Sequence, residues 1–206
     1  MKKTKIILFD IDGVLIRLPH YFSKELEDNG YNNVAESLNP FFNGDDGYQC
    51  LEGKADAEKN IMPFLKKFGW KGTAKSHLKQ QFQFESSYLD KNFISLIKGL
   101  RKKGVKCYLS TDQEKNRAKF LLHEMNFKNI FDGYFISCYI GYRKCHDDFW
   151  KHALKILNKE FPDIKPDEIV FFDDIQSNID TALKFGIKSF LFKNIKQFKK
   201  DFAVLN

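Results

Sequence analysis

The chain has 206 residues, 43% of them apolar, with 22 phenylalanines, enough for one ordinary domain or a core domain with a modest insertion, and unlike a disordered chain. The net charge is +7, but Lys and Arg are scattered rather than massed in one block. That balance favours an anionic small ligand and permits weak, non-specific nucleic-acid contact, so no dedicated nucleic-acid partner is expected.

The basic start Met1–Lys5 is followed by four apolar residues before Asp10. That is too short for a secretory signal, and no run approaches a membrane span, so a soluble, cytoplasmic protein is expected. The apolar stretch Ile6-Ile7-Leu8-Phe9 reads as a buried strand. It runs into Asp10-Ile11-Asp12-Gly13-Val14, two carboxylates one residue apart followed by a glycine. In α/β sheets ligands bind at the carboxyl ends of strands, which places Asp10 and Asp12 where chemistry occurs.

Residues 15 to about 88 read as helical and irregular. A helix over Ser23–Asp28 stops at Asn29-Gly30, and a second spans Asn33–Phe42 before a turn over Asn43–Gly47. Asp56 is placed to cap a helix toward Phe68, kinked by Pro63, and Thr73 to cap another through Phe84. Such a segment is too long for a loop and forms a small helical subdomain.

From Asp90 the pattern alternates. Helices are expected up to Lys103-Gly104 and over Gln113–Met125, His146–Leu157 and Ile179–Phe185. Strands are expected over Val105–Leu109, Gly133–Ser137, Glu168–Phe172 and Lys188–Phe192, with a packing helix over Lys193–Phe202. Alternating strands and helices predict a Rossmann-like parallel sheet covered on both faces. The four cysteines, Cys50, Cys107, Cys138 and Cys145, form no CxxC pair and read as packed, reduced thiols. The five histidines show no metal-ligand spacing; His20 is a weak candidate for substrate contact, Glu52-Gly53-Lys54 for a loop facing the site, and Trp70 for packing.

The residues after each strand share one chemistry. The first strand ends at Asp10 and Asp12, the second at Ser110-Thr111-Asp112. Gly141-Tyr142-Arg143-Lys144 follows the third, and Asp173-Asp174 the fourth, with Asn178 a helical turn further on. A carboxylate can attack phosphorus and divide one hard step into two. Clustered acids suit Mg²⁺, a hard cation that takes oxygen ligands. A hydroxyl and an ammonium balance the phosphoryl oxygens, and a second Asp moves the proton.

This arrangement resembles the haloacid dehalogenase-like (HAD) hydrolase superfamily along the whole chain. Asp10-Ile11-Asp12-Gly13-Val14 matches its DxDG[VT] motif, Leu109-Ser110-Thr111-Asp112 looks like its second, Arg143-Lys144 like its third, and Asp173-Asp174…Asn178 matches the DDxxxN form of its fourth. The resemblance implies Asp10 as nucleophile and Mg²⁺ ligand, and Asp12 as general acid/base and a ligand through its backbone carbonyl. It implies phosphate binding around Thr111, Asp112 and Lys144, and a metal site completed by Asp173 and Asp174, with Asp174 the preferred direct ligand. Ser110, the alternative to Thr111, and Asn178 are supporting candidates. Asp112 stands where Asn is common, and Cys145 replaces the usual Pro. A core domain of residues 1–14 and 89–206 with a helical cap of 15–88 is implied, as is a Mg²⁺-dependent phosphatase of a small phosphorylated metabolite. The alternatives are a phosphomutase, a dehalogenase, disfavoured by Asp12, and a non-catalytic phosphate-binding protein.

Overall fold

The computed structural model describes residues 4–204. The run Ile6–Phe9 forms β1, buried at all four positions, at the centre of a five-stranded parallel sheet. β2 (Lys106–Thr111) and β4 (Ile169–Asp173) flank it, β3 (Gly133–Ile136) lies beyond β2, and β5 (Lys188–Leu191) beyond β4. Register brings the chemistry together. Phe9 lies level with Leu109 on one side and Phe172 on the other, so the next residues, Asp10, Ser110 and Asp173, emerge at one height. The connections on either side of β1 lead to opposite halves of the sheet, the switch point where α/β sheets open a crevice.

Side chains alternate across the sheet with a period of two. Ile7, Phe9, Cys107, Leu109, Val170 and Phe172 pack on one face against Phe93, Ile97, Leu121 and Phe198. Ile6, Leu8, Tyr108 and Phe171 pack on the other against Phe149, Trp150, Leu157 and Ile179. Each such buried side chain is worth about 1.5–3 kcal/mol relative to exposure. The covering helices are α6 (Lys91–Lys102), α10 (Asp147–Glu160), α11 (Gln176–Leu183) and α12 (Ile195–Val204). The fold is thus α/β with helices on both faces of a parallel sheet, as the alternation predicts.

Five helices separate β1 from α6: α1 (Phe22–Asp28), α2 (Val34–Phe42), α3 (Asp45–Leu51), α4 (Ala57–Lys67) and α5 (Ala74–Ser86). They share a core of their own that includes Phe22, Val34, Leu38, Ile61, Leu65, Leu78 and Phe82. Asp56 and Thr73 cap α4 and α5 by accepting from the Lys59 and Ser76 N–H groups, as their positions predict. Trp70 packs near Tyr31, Phe68 and His77 and donates to the Thr73 carbonyl, a packing role.

Several elements depart from expectation. Asn43–Gly47 is not simply a turn, since α3 begins at Asp45 with Asp45 and Asp46 in its first turn, where the helix dipole favours acids. Gly47 is there for proximity: a Cβ would lie 2.2 Å from the Phe41 carbonyl oxygen. Pro63 lies inside α4 without ending it. Ser137 leaves the third strand and opens a short helix, α9 (Ser137–Ile140), carrying Cys138. β2 extends two residues past Leu109 to Thr111, and β4 reaches Asp173. The expected Gln113–Met125 helix is split into α7 (Lys115–Lys119) and a widened turn over Phe120–Glu124. Gln113 stays outside it because its N–H donates to Ser137 Oγ at 3.0 Å, while Glu114 caps α7. The short α8 (Phe127–Ile130) follows, and α11 starts at Gln176, three residues before the expected Ile179. All four cysteines are free thiols, Cys145 half-buried and the others buried. No helix among the described residues is long and apolar enough to cross a membrane.

His77, on α5, is fully buried beside Phe22, Phe68 and Trp70, and neither ring nitrogen has a hydrogen-bond partner among the described residues. Burial lowers its pKa from 6.5 to about 4. The imidazole gains a proton more readily unfolded than folded, so its contribution is intact above pH 6.5 and is lost as pH falls toward 4. The loss at the acid end is about 3 kcal/mol. Melting temperatures of wild type and His77→Phe, measured from pH 7.5 to 4, should diverge below pH 6.5 with the variant falling less. Parallel curves would contradict this origin.

Candidate active site

The carboxyl end of β1 opens into a cavity of about 820 Å³ between the sheet and the helices of residues 15–88. Asp10, Asp12, Thr111, Asp112, Lys144, Asp174 and Asn178 line it from the strand ends, and His20, Tyr21, Asn39, Phe42, Tyr48 and Gln81 from the helical side. The strand-end residues singled out in the sequence meet here, apart from Ser110 and Asp173, which lie just beneath.

Lys144 is the electrostatic centre. Its side chain is 2% exposed, and Nζ lies 2.8 Å from Asp10 Oδ1 and 2.7 Å from Asp173 Oδ2. Burial works against its charge, but Asp10, Asp173 and Asp112 outweigh it and keep the ammonium protonated well above its ordinary range. Burial likewise drives the Asp10 carboxyl well above the usual carboxylate range, with Lys144 opposing and Asp173 reinforcing. Two neighbours hold the loop that delivers the lysine. Asp112 Oδ1 accepts the Lys144 N–H at 2.9 Å, and Trp150 Nε1 donates to the Lys144 carbonyl at 2.7 Å. Asp112, expected near the phosphate, thus lines the cavity and also holds the backbone of the Lys144 loop.

Asp173 is fully engaged. Beyond Lys144, it accepts from the Ile175 N–H at 2.8 Å and from Asn178 Nδ2 at 3.2 and 3.1 Å. Asp174 is exposed and takes no hydrogen bond from another side chain among the described residues. Burial of its carboxyl by surrounding protein and the nearby Asp173 raise its pKa. One oxygen from each of Asp10, Asp173 and Asp174 lies within 4.8 Å of the others, a set of hard oxygen donors that suits a small divalent cation. Gly13 makes room for it: its φ is +77°, and a Cβ there would lie 2.0 Å from Asp174 Oδ2.

Asp12 stands apart from this cluster, its side chain 54% exposed toward the cavity. Gln113 Nε2 donates to Asp12 Oδ2 at 2.8 Å and to Thr111 Oγ1 at 2.9 Å. Thr111 Oγ1, thus accepting, keeps its own proton for a group in the cavity. Arg117 Nη2 lies 3.2 Å from Asp12 Oδ1, and Arg117 Nη1 pairs with Glu85 at the end of α5. Gln113 and Arg117 were not foreseen. Gln113 follows Thr111-Asp112 directly, a usable cue; Arg117 sits in a stretch with other basic residues and reads as surface charge.

Ser110 is completely buried, and its Oγ has no partner among the described residues, so Thr111 alone of the two faces the cavity. His20 lines the cavity beside Glu25, 3.5 Å away. Glu52 and Lys54 pair with each other at 2.7 Å, and Glu52 lies 3.8 Å from Arg143. That stretch braces the loop before Lys144 without lining the cavity.

The haloacid dehalogenase-like hydrolase family model matches residues 4–186. Among solved structures, a HAD family enzyme from Bacteroides thetaiotaomicron is 21% identical with a TM-score of 0.74, covering 98% of this chain and 99% of its own. The wild-type form of that enzyme in complex with magnesium and inorganic phosphate is 19% identical with a TM-score of 0.72, over 95% of this chain and 98% of its own. A predicted HAD-like family hydrolase from Porphyromonas gingivalis is 20% identical with a TM-score of 0.72, over 99% and 98%. At these identities the likeness is one of fold.

Proposed function

The chain belongs to the haloacid dehalogenase-like hydrolases, and on that premise we propose that it hydrolyses the phosphomonoester of a small metabolite through a phosphorylated Asp10. The observation that carries this reading is the pairing of two unlike carboxylates at one strand end. Asp10 is buried against Lys144, and Asp12 is held toward the cavity by Gln113 and Arg117. Two acids in different environments suit different tasks.

In the first step an Asp10 oxygen attacks phosphorus while the bond from phosphorus to the substrate oxygen breaks, and Asp12 gives that oxygen its proton. In the second, water attacks phosphorus, Asp12 takes the water proton, and the Asp10–phosphate bond breaks. Lys144 and the Thr111 hydroxyl balance charge on the phosphoryl oxygens. Asp10 and Asp174, with Asp173 behind them and the Asp12 carbonyl, would hold Mg²⁺, which supplies positive charge for the carboxylate and the phosphate to share. The magnesium and phosphate bound by the Bacteroides enzyme agree with such a site. Asp12, with two side chains devoted to aiming it, favours a phosphatase over a dehalogenase, whose chemistry has no leaving oxygen to protonate. In this reading the helices of residues 15–88 form a cap over a core of 1–14 and 89–206, and the enclosed volume limits substrates to small molecules.

A panel of p-nitrophenyl phosphate, sugar phosphates and nucleotides with Mg²⁺ tests the reading. Hydrolysis should vanish with a chelator and return with added Mg²⁺. Turnover indifferent to chelation, or no turnover of any member, would overturn it.

A further inference from the structure

Arg117 is 3% exposed, a cation buried against Phe82 of the helical core. Its guanidinium divides between two carboxylates from different parts of the chain: Asp12 in the loop after β1, and Glu85 at the end of α5. Phe82, one turn before Glu85, lies under the guanidinium with 5.2 Å from Cζ to the ring centroid. Glu114 accepts from the Arg117 backbone N–H at 2.5 Å, fixing the start of α7. An arginine is expensive to bury, and its planar fork with two diverging acceptors constrains direction as well as charge.

The consequence lies at Asp12. A general acid must present one oxygen to the leaving group, and a half-exposed carboxylate on a loop has rotational freedom that dilutes the useful orientation. Gln113 restrains Oδ2 and Arg117 restrains Oδ1, so the two together fix the plane of the carboxylate. Gln113 is anchored within the sheet end through Thr111 and Ser137. Arg117 is anchored by Glu85, and so by α5.

We propose that Arg117 is a positioning residue for the proton-transferring Asp12, and that Glu85 ties this aim to the placement of α5 over the site. The proposal rests on the phosphatase reading above. Arg117 touches no reacting atom; it acts through Asp12, and its loss should be felt where the leaving oxygen most needs a proton.

Phenyl phosphate and p-nitrophenyl phosphate have nearly the same shape, but phenolate leaves far less readily than nitrophenolate. For Arg117→Met, kcat/KM should fall about 100-fold for phenyl phosphate, within the range of general acid catalysis, and less than about tenfold for p-nitrophenyl phosphate. KM should change little. Arg117→Lys, which keeps charge but not the fork, should give an intermediate split. Glu85→Gln keeps the side-chain shape while removing the charge that holds Arg117, and should show the same selectivity at about tenfold. It is the deciding variant should Arg117→Met, which leaves Glu85 only Gln81 Nε2 as a side-chain donor, not fold. Equal losses on both substrates in folded variants, or no loss, would overturn the proposal while leaving the phosphatase reading intact. A wild type that hydrolyses neither these esters nor any sugar phosphate or nucleotide with Mg²⁺ would remove both.

Discussion

Asp10→Asn should leave a folded protein whose hydrolysis of any phosphomonoester lies below about one ten-thousandth of wild type, the scale seen when a nucleophile is removed from a cooperating set. The amide matches the carboxylate in shape, so Lys144 keeps Asp173 as its partner at 2.7 Å and the strand register around Phe9 is undisturbed. The substitution removes the attacking charge and little else. It also takes away a carboxylate that burial holds well above the usual range against the pull of Lys144, so the variant should be as stable as wild type or slightly more so. Steady-state kinetics beside a thermal melt separates the outcomes. Retained turnover above one per cent in a folded variant would mean that water, not Asp10, attacks phosphorus.

Lys144→Ala should damage both stability and activity. The ammonium stands buried between Asp10 and Asp173 at the floor of the cavity, and its removal leaves two buried carboxylates facing one another. Breaking a buried pair from one side costs about 3–5 kcal/mol. For a domain of this size that lowers the melting temperature by about 10 °C. Activity should fall by about 100- to 1000-fold, as when one charge-stabilising donor is lost. Mg²⁺ should restore more stability to this variant than it adds to wild type, because the three clustered carboxylates then lack their internal cation. A melting temperature unchanged in metal-free buffer would show that Lys144 does not neutralise the cluster.

The sheet and the acidic edge at its strand ends were legible because local pattern and global position agree there. The run Ile6–Phe9 can only be a buried strand, and Asp10 breaks it at the point where the sheet presents its ligand edge. The same signal recurs at Thr111 and Asp173. Only the resemblance divided Asp173 from Asp174, favouring Asp174 as the direct ligand; as adjacent identical residues they carry no local clue to which one meets Lys144 and Asn178. Asp112 gave no hint that it holds the backbone of Lys144, a contact 32 residues away. Arg117 was hidden for the same reason: its meaning comes from Glu85, distant in the chain, and from burial that its basic neighbours disguise. The turn over Asn43–Gly47 misled because Gly47 serves close helix packing rather than chain reversal. The widened turn at Phe120–Glu124 has no local signature in the sequence.

The central claim is that Asp10 carries the phosphoryl group between two half-reactions. Acid quenching during steady turnover with Mg²⁺, followed by mass spectrometry of peptides spanning residues 6–17, reads it directly. One phosphoryl group is expected on Asp10 in wild type and none in Asp10→Asn. Rapid turnover with the Asp10 peptide unmodified and no acid-stable or trappable adduct, or a phosphoryl group on another side chain, would contradict it.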